Sequence, residues 1–225
     1  MFLNLHSHYD LEPAGGRVIT NIIMSCKGQE EGVLLANYSG KWVSAGIHPW
    51  YIDELNYSLQ FHAMVEFAGK EAVKMIGECG LDRLRGPSLD LQQRVFEDQI
   101  HLAEKLKKPV IIHCVKCFSE LLMVKKKLNP TVPLVVHGFN NKADVARELI
   151  RHNFYLSFGA ALLLDGSNAQ KVLSLIPENR IFLETDDRDV PVERIYEKAA
   201  LLKNVSVNQL KEIIFANYQS LGNKF

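Results

Sequence analysis

Histidines and acids recur in this sequence where apolar runs stop. His6 and His8 stand two apart in Leu5-His6-Ser7-His8, a spacing that sends both imidazoles to one face of an extended strand. Glu78 lies in Ile76-Gly77-Glu78-Cys79-Gly80, and His113 follows Val110-Ile111-Ile112. His137 follows Leu134-Val135-Val136, and Asp186 closes Phe182-Leu183-Glu184-Thr185. One such histidine would be an ordinary hydrogen-bonded core residue, but a set of them with two acids is the donor chemistry of a divalent metal site. Mixed nitrogen and oxygen donors accept Zn²⁺, Mn²⁺ or Mg²⁺, as one or two ions. A bound ion would make hydroxide from water near neutral pH, the chemistry of ester hydrolysis. In that scheme Asp186 orients the attacking water and accepts its proton, and Glu78 is the carboxylate able to bridge two ions. His48 in Gly46-Ile47-His48-Pro49 reads as a loop residue near substrate, and Asp82 as one that orients a ligand or substrate.

The elements that must position these residues alternate. Eight strand-like runs cover about residues 2–8, 18–25, 42–48, 73–79, 109–114, 133–138, 153–159 and 181–186. Several are continuously apolar, as in strands covered on both faces. Amphipathic helical stretches fall at about 57–69, 88–107, 116–128, 141–151, 167–175, 190–203 and 206–221. Ser88 is placed to cap the second of these, and Pro109 follows its end. This alternation predicts an α/β protein, a (β/α)8 TIM-type barrel in one domain spanning 1–225. Such a barrel collects the carboxyl ends of its strands, and so the six candidate ligands, on one face. The stretch 9–17, with Pro13, Gly15 and Gly16, has no room for the first helix. The barrel is therefore expected to be slightly truncated there, or its second strand to pair differently.

Composition narrows the function classes. Lys plus Arg and Asp plus Glu both number 26, so the formal charge is zero and a high-affinity duplex-coating protein is disfavoured. No apolar run is long enough for a membrane span, and the N-terminus does not read as a secretory signal, which makes the cytoplasm the expected location. No protein partner is implied. Cys114-Val115-Lys116-Cys117 lacks a second cysteine pair and reads as buried reduced thiols. Trp50 and Tyr51 are aromatic loop residues that a base could stack on, although a packing role is the commoner one.

The ordered set His6-Ser7-His8, Gly46-Ile47-His48-Pro49, Ile76-Gly77-Glu78-Cys79-Gly80-Leu81-Asp82, Ile112-His113-Cys114, Val136-His137-Gly138-Phe139 and Leu183-Glu184-Thr185-Asp186 resembles the TatD family of metal-dependent hydrolases. The resemblance implies a (β/α)8 barrel, a one- or two-metal site and phosphodiester cleavage, often as a deoxyribonuclease acting on DNA. It implies His6, His8, Glu78, His113, His137 and Asp186 as ligands, Glu78 bridging, and a basic residue at Lys116 reaching a substrate phosphate. The chain departs from the family's pattern after His8-Tyr9-Asp10, at Gly138, and at Asp187-Arg188-Asp189-Val190. Those are substrate-shaping positions, so hydrolysis is the firmer expectation and DNA the softer one. The rival readings are an amidohydrolase acting on C–N or carboxylic ester bonds, and a non-catalytic barrel scaffold. Many amidohydrolases use a carboxylated lysine on the fourth strand, where this chain has Glu78.

Overall fold

The computed structural model describes residues 1–24, 38 and 40–222. Its strands are β1 Phe2–Ser7, β2 Gly16–Ile23, β3 Trp42–Gly46, β4 Val73–Asp82, β5 Val110–Val115, β6 Leu134–Val136, β7 Phe154–Phe158 and β8 Ile181–Leu183. The α-helices among the described residues are α1 Tyr57–Ala68, α2 Leu89–Leu106, α3 Phe118–Leu128, α4 Ala143–Arg151, α5 Asn168–Leu173, α6 Val192–Lys203 and α7 Val207–Ser220. The strands follow one another in chain order, β1 to β8, in one sheet. Parallel strands alternating with helices in that order are the topology of a (β/α)8 barrel.

The chain divides into two compact units, residues 1–20 with 134–225 and residues 21–133. In the first, β1 pairs with β2, β6 with β7 and β7 with β8, all parallel. The end of β1 meets the segment after β8 through a Ser7–Asp186 bridge. Its core includes Leu3, Leu5, Phe154, Phe158 and Phe182. Tyr196 of α6 fastens β1 from outside: its hydroxyl donates to the Leu3 carbonyl at 2.9 Å and accepts from the Leu3 amide at 3.1 Å. In the second unit, β3, β4 and β5 pair in parallel around Val43, Met75, Ile76, Ile111, Phe67 and Phe96.

The connection from β1 to β2 spans only residues 8–15, without a helix, and β2 pairs parallel to β1. The truncated-barrel expectation is the one realised. Elsewhere the helix ends obey their local chemistry. Ser88 accepts from the Leu91 amide, Lys107 closes α2 in the left-handed conformation, and Ser206 forms a capping box with Gln209. No helix among the described residues is long and apolar enough to cross a membrane.

Two register shifts bear on the site. Asn4 faces Val18 while Ser7 faces Thr20, which puts an extra residue into β1 around His6. Ile76 faces Val110 while Cys79 faces Ile112, which does the same in β4 around Glu78. A bulge re-aims one side chain out of the strand's alternation. Gly77 permits the second: its φ is +124°, and an added Cβ would lie 2.3 Å from the Ile111 carbonyl oxygen.

Candidate metal centre

In the first unit, His6, His8 and Asp186 gather at the carboxyl end of β1. The Nε2 atoms of both histidines lie 3.4 Å from Asp186 Oδ1, and all three donors fall within 4.8 Å of one another. His6 is fully buried, whereas the His8 and Asp186 side chains are about one-third exposed. Asp186 does not lie on β8, which stops at Leu183. It is held by main-chain exchange with β1, its amide donating to the His6 carbonyl at 3.0 Å and its carbonyl accepting from the His8 amide at 3.0 Å. Its φ of +56° is sparsely populated for a residue with a side chain, and Asp tolerates it better than most. Burial pushes the Asp186 carboxyl pKa up, but hydrogen bonds from His6 and His8 and the nearby His137 outweigh this and hold it far below the usual carboxylate range.

His137 follows β6, with its ring centroid 4.6 Å from that of His6. Behind it Glu184 is fully buried, Oε1 accepting from the Gly138 amide at 2.5 Å and lying 3.5 Å from His137 Nδ1. Asn4 braces the same wall: Nδ2 donates to Thr185 Oγ1 at 2.8 Å and Oδ1 accepts from the Thr185 amide at 3.0 Å.

In the second unit, His48, Glu78 and His113 form another group of donors within 4.8 Å, all buried. Glu78 Oε1 lies 2.8 Å from His113 Nδ1 and 3.1 Å from His48 Nε2, and Oε2 accepts from Asn21 Nδ2 at 3.3 Å. The Trp50 amide donates to His48 Nδ1 at 3.1 Å. A neutral His48 therefore carries its proton on Nε2 and donates to Glu78. Asp82 Oδ2 meets His113 Nε2 at 3.1 Å and accepts from Trp50 Nε1 at 2.6 Å, while Oδ1 accepts from the Leu84 amide at 2.8 Å. Burial raises its pKa, but these bonds from His113, Trp50 and Leu84 more than offset that, leaving it below the ordinary value. Lys116 is exposed at the start of α3 and lies at φ +53°. Cys79, Cys114 and Cys117 are free thiols; Cys26 lies outside the described residues.

Three buried glutamines, which sequence reasoning passed over, hold the loops of this unit by their main chains. Gln92 Oε1 accepts from the Asp82 amide at 2.7 Å, and Nε2 donates to the carbonyls of Asp82, Arg85 and Pro87 at 3.0, 3.1 and 2.9 Å. Gln99 grips both sides of Ile47, beside His48, at 2.8 and 3.0 Å. Gln60 accepts from the Asp53 amide and donates to the carbonyls of Met24 and Tyr51. Their sequence signal is faint: an uncharged polar residue on the apolar stripe of an amphipathic helix.

Parallel strands and helices alternating in order, with imidazoles and carboxylates on the later residues of the strands or just past them, define a class of barrel hydrolases that work with divalent metals. Comparison with known proteins narrows this class. The family model TatD related DNase matches residues 9–223. An uncharacterized metal-dependent hydrolase of Bacillus subtilis, YabD, is 30% identical over 84% of this chain and 80% of its own length. The 3'-5' ssDNA/RNA exonuclease TatD of Escherichia coli is 28% identical over 71% of this chain, and the match spans 63% of that enzyme, less than two thirds of it. Among solved structures, the TatD homolog YjjV of Escherichia coli superposes with a TM-score of 0.82 at 22% identity, covering 98% of this chain and 97% of that one, a likeness of fold. The chain belongs to the TatD family of metal-dependent hydrolases.

Proposed function

We propose that this chain hydrolyses phosphodiester bonds, with a strand of nucleic acid as its substrate class and one or two divalent ions as cofactor. The observation that carries the reading is the pair of donor groups, each uniting imidazole nitrogen with carboxylate oxygen within 4.8 Å. That donor set fits a divalent cation of borderline hardness better than it fits any fold-stabilising role, since a buried acid such as Glu78 is otherwise costly. His6, His8 and Asp186, with His137 beside them, would hold one ion; Glu78 and His113 would hold a second. A divalent ion so bound supplies Lewis acidity and lowers the pKa of its water from 15.7 toward about 7.

The remaining work falls to the chain's own groups. Asp186 stays ionised at neutral pH because two imidazoles face its carboxylate. It accepts a hydrogen bond from the attacking water and fixes that water's direction. His48 donates to Glu78, and Asp82 fixes the ring of His113, so both residues set geometry rather than react. Lys116, exposed at the same end of β5, is placed to meet a phosphate oxygen. The names of relatives support this reading, one being an exonuclease on single strands. Glu78 in place of a β4 lysine favours it over the amidohydrolase alternative.

The test is a divalent-metal screen with bis(p-nitrophenyl) phosphate, a single-stranded oligonucleotide and an aryl carboxylic ester, alongside metal analysis. Asp186→Asn should lower phosphodiester turnover by about 10²–10⁴-fold, the usual contribution of a water-orienting carboxylate. Asp186-dependent cleavage confined to the carboxylic ester would defeat the proposal. Failure to bind any divalent ion would favour a scaffold.

A further inference from the structure

One arginine beside the second donor group is held by an aromatic ring and by nothing acidic. Arg85, in the loop after β4, carries its guanidinium carbon 3.9 Å above the centre of the Trp50 indole. That indole is itself fixed, its Nε1 donating to Asp82 and its edges packed on His48 and His113 with ring centres 4.8 and 5.5 Å away. Gln92 holds the Arg85 carbonyl from below. The neighbouring Arg83 is already committed, to Glu120 and to the Lys116 carbonyl. Arg85 is exposed, and no carboxylate among the described residues pairs with it.

A guanidinium held over an indole by cation–π attraction keeps N–H donors available, and its fork matches the paired oxygens of a phosphate. Stacking also removes much of the side-chain entropy that a surface arginine loses on binding. Its position identifies which phosphate. Arg85 lies over the indole that packs on His113, which suits it to an anion alongside the group undergoing cleavage. In a nucleic-acid strand every phosphodiester has such a neighbour, one nucleotide away. The geometry points to Arg85 as the binding residue for the phosphate that flanks the scissile one, with Trp50 as platform for the cation rather than for a base. This rests on the phosphodiesterase reading above and specifies it: the preferred substrate is a strand with a second phosphate, not an isolated diester.

Thymidine dinucleotides test this directly. TpT has only the scissile phosphate, whereas pTpT and TpTp add one neighbour on either side. The wild-type chain should favour one phosphorylated dinucleotide by about 10–100-fold in kcat/KM, mainly through KM, as expected for a charge-assisted bidentate contact. Arg85→Gln should bring that ratio close to one, and Arg85→Lys should restore part of it by returning charge without the fork. Calorimetry with the phosphorothioate analogues should show the same loss of discrimination in Kd. No preference in the wild type, or a preference that survives Arg85→Gln, overturns the inference. If no dinucleotide is cleaved, the phosphodiesterase reading fails by itself; phosphate-dependent binding lost in Arg85→Gln would then still support the anion site.

Discussion

Replacing Gln92 by Leu should both destabilise the chain and disorganise one side of its site. The side chain is about 1% exposed and makes four hydrogen bonds, all to main-chain atoms of residues 82–87. Leucine has a similar volume, so little cavity is created and the loss is polar. The Asp82 amide, itself buried, would lose its partner, which costs about 1–3 kcal/mol. The Arg85 and Pro87 carbonyls are nearer solvent and can recruit water, so each adds only about 0.5 kcal/mol. With the Asp82 carbonyl adding about as much as each of these, the sum is about 2.5–4.5 kcal/mol. With a urea m-value of about 3 kcal/mol/M for a chain of this size, the midpoint should fall by about 1 M with little change in m. Because the same amide positions Asp82, and through it His113 and Trp50, phosphodiester kcat/KM should fall as well. A midpoint within about 0.2 M of the parent, with activity kept, would show that these bonds merely replace ones to water.

Other expectations follow from the same geometry. Asp82→Asn cannot satisfy its surroundings, because Oδ2 faces the Trp50 indole N–H and His113 while Oδ1 faces the Leu84 amide; one donor must then meet an NH₂ group. Urea titration at pH 7 should show a loss of about 2–3 kcal/mol. Since Asp82 is more acidic folded than unfolded, its contribution is present above about pH 4 and fades as pH falls, so the variant's stability should drop less steeply on acidification. Lys108 runs the other way. Burial, with Lys74 nearby, lowers its pKa to about 8, so the folded state is penalised below pH 8 and relieved as pH rises toward about 10.5. Wild-type stability should gain over that range and Lys108→Met should flatten the gain, as read by denaturation at pH 7.5, 9 and 10. Adding Mn²⁺ or Zn²⁺ at a hundredfold excess over its Kd should stabilise the chain by about 2.7 kcal/mol, and Asp186→Asn should blunt that effect.

Much of this was legible because imidazoles and acids end runs that are otherwise wholly apolar. Val110-Ile111-Ile112 and Leu134-Val135-Val136 lie in β5 and β6; His137 follows β6 directly, whereas β5 runs on past His113 to Val115. Strand periodicity alone could not foresee the bulges around His6 and Glu78, which break the alternation on which such reasoning depends. Nor could it show that Asp186 stands three residues beyond β8 and is held there by β1, a contact between the chain's extremes. On sequence alone Trp50 reads as a packing residue or a base platform; the structure has it bonded to Asp82 and covered by Arg85, neither partner being near it along the chain. The glutamines escaped notice because an amide on a helix usually faces water.

Those three amides grip peptide groups and ignore side chains. Gln92 thus sets the path of the loop from Asp82 to Pro87 through its peptide groups, with the side chains of Asp82 and Arg83 as further ties and Gly86 required where a Cβ would sit 2.6 Å from the Pro49 carbonyl oxygen. Positions 84 and 85 behave like an interchangeable fitting in a fixed socket. Relatives, or a laboratory library, can retool what this rim recognises while the backbone beneath it stays in place.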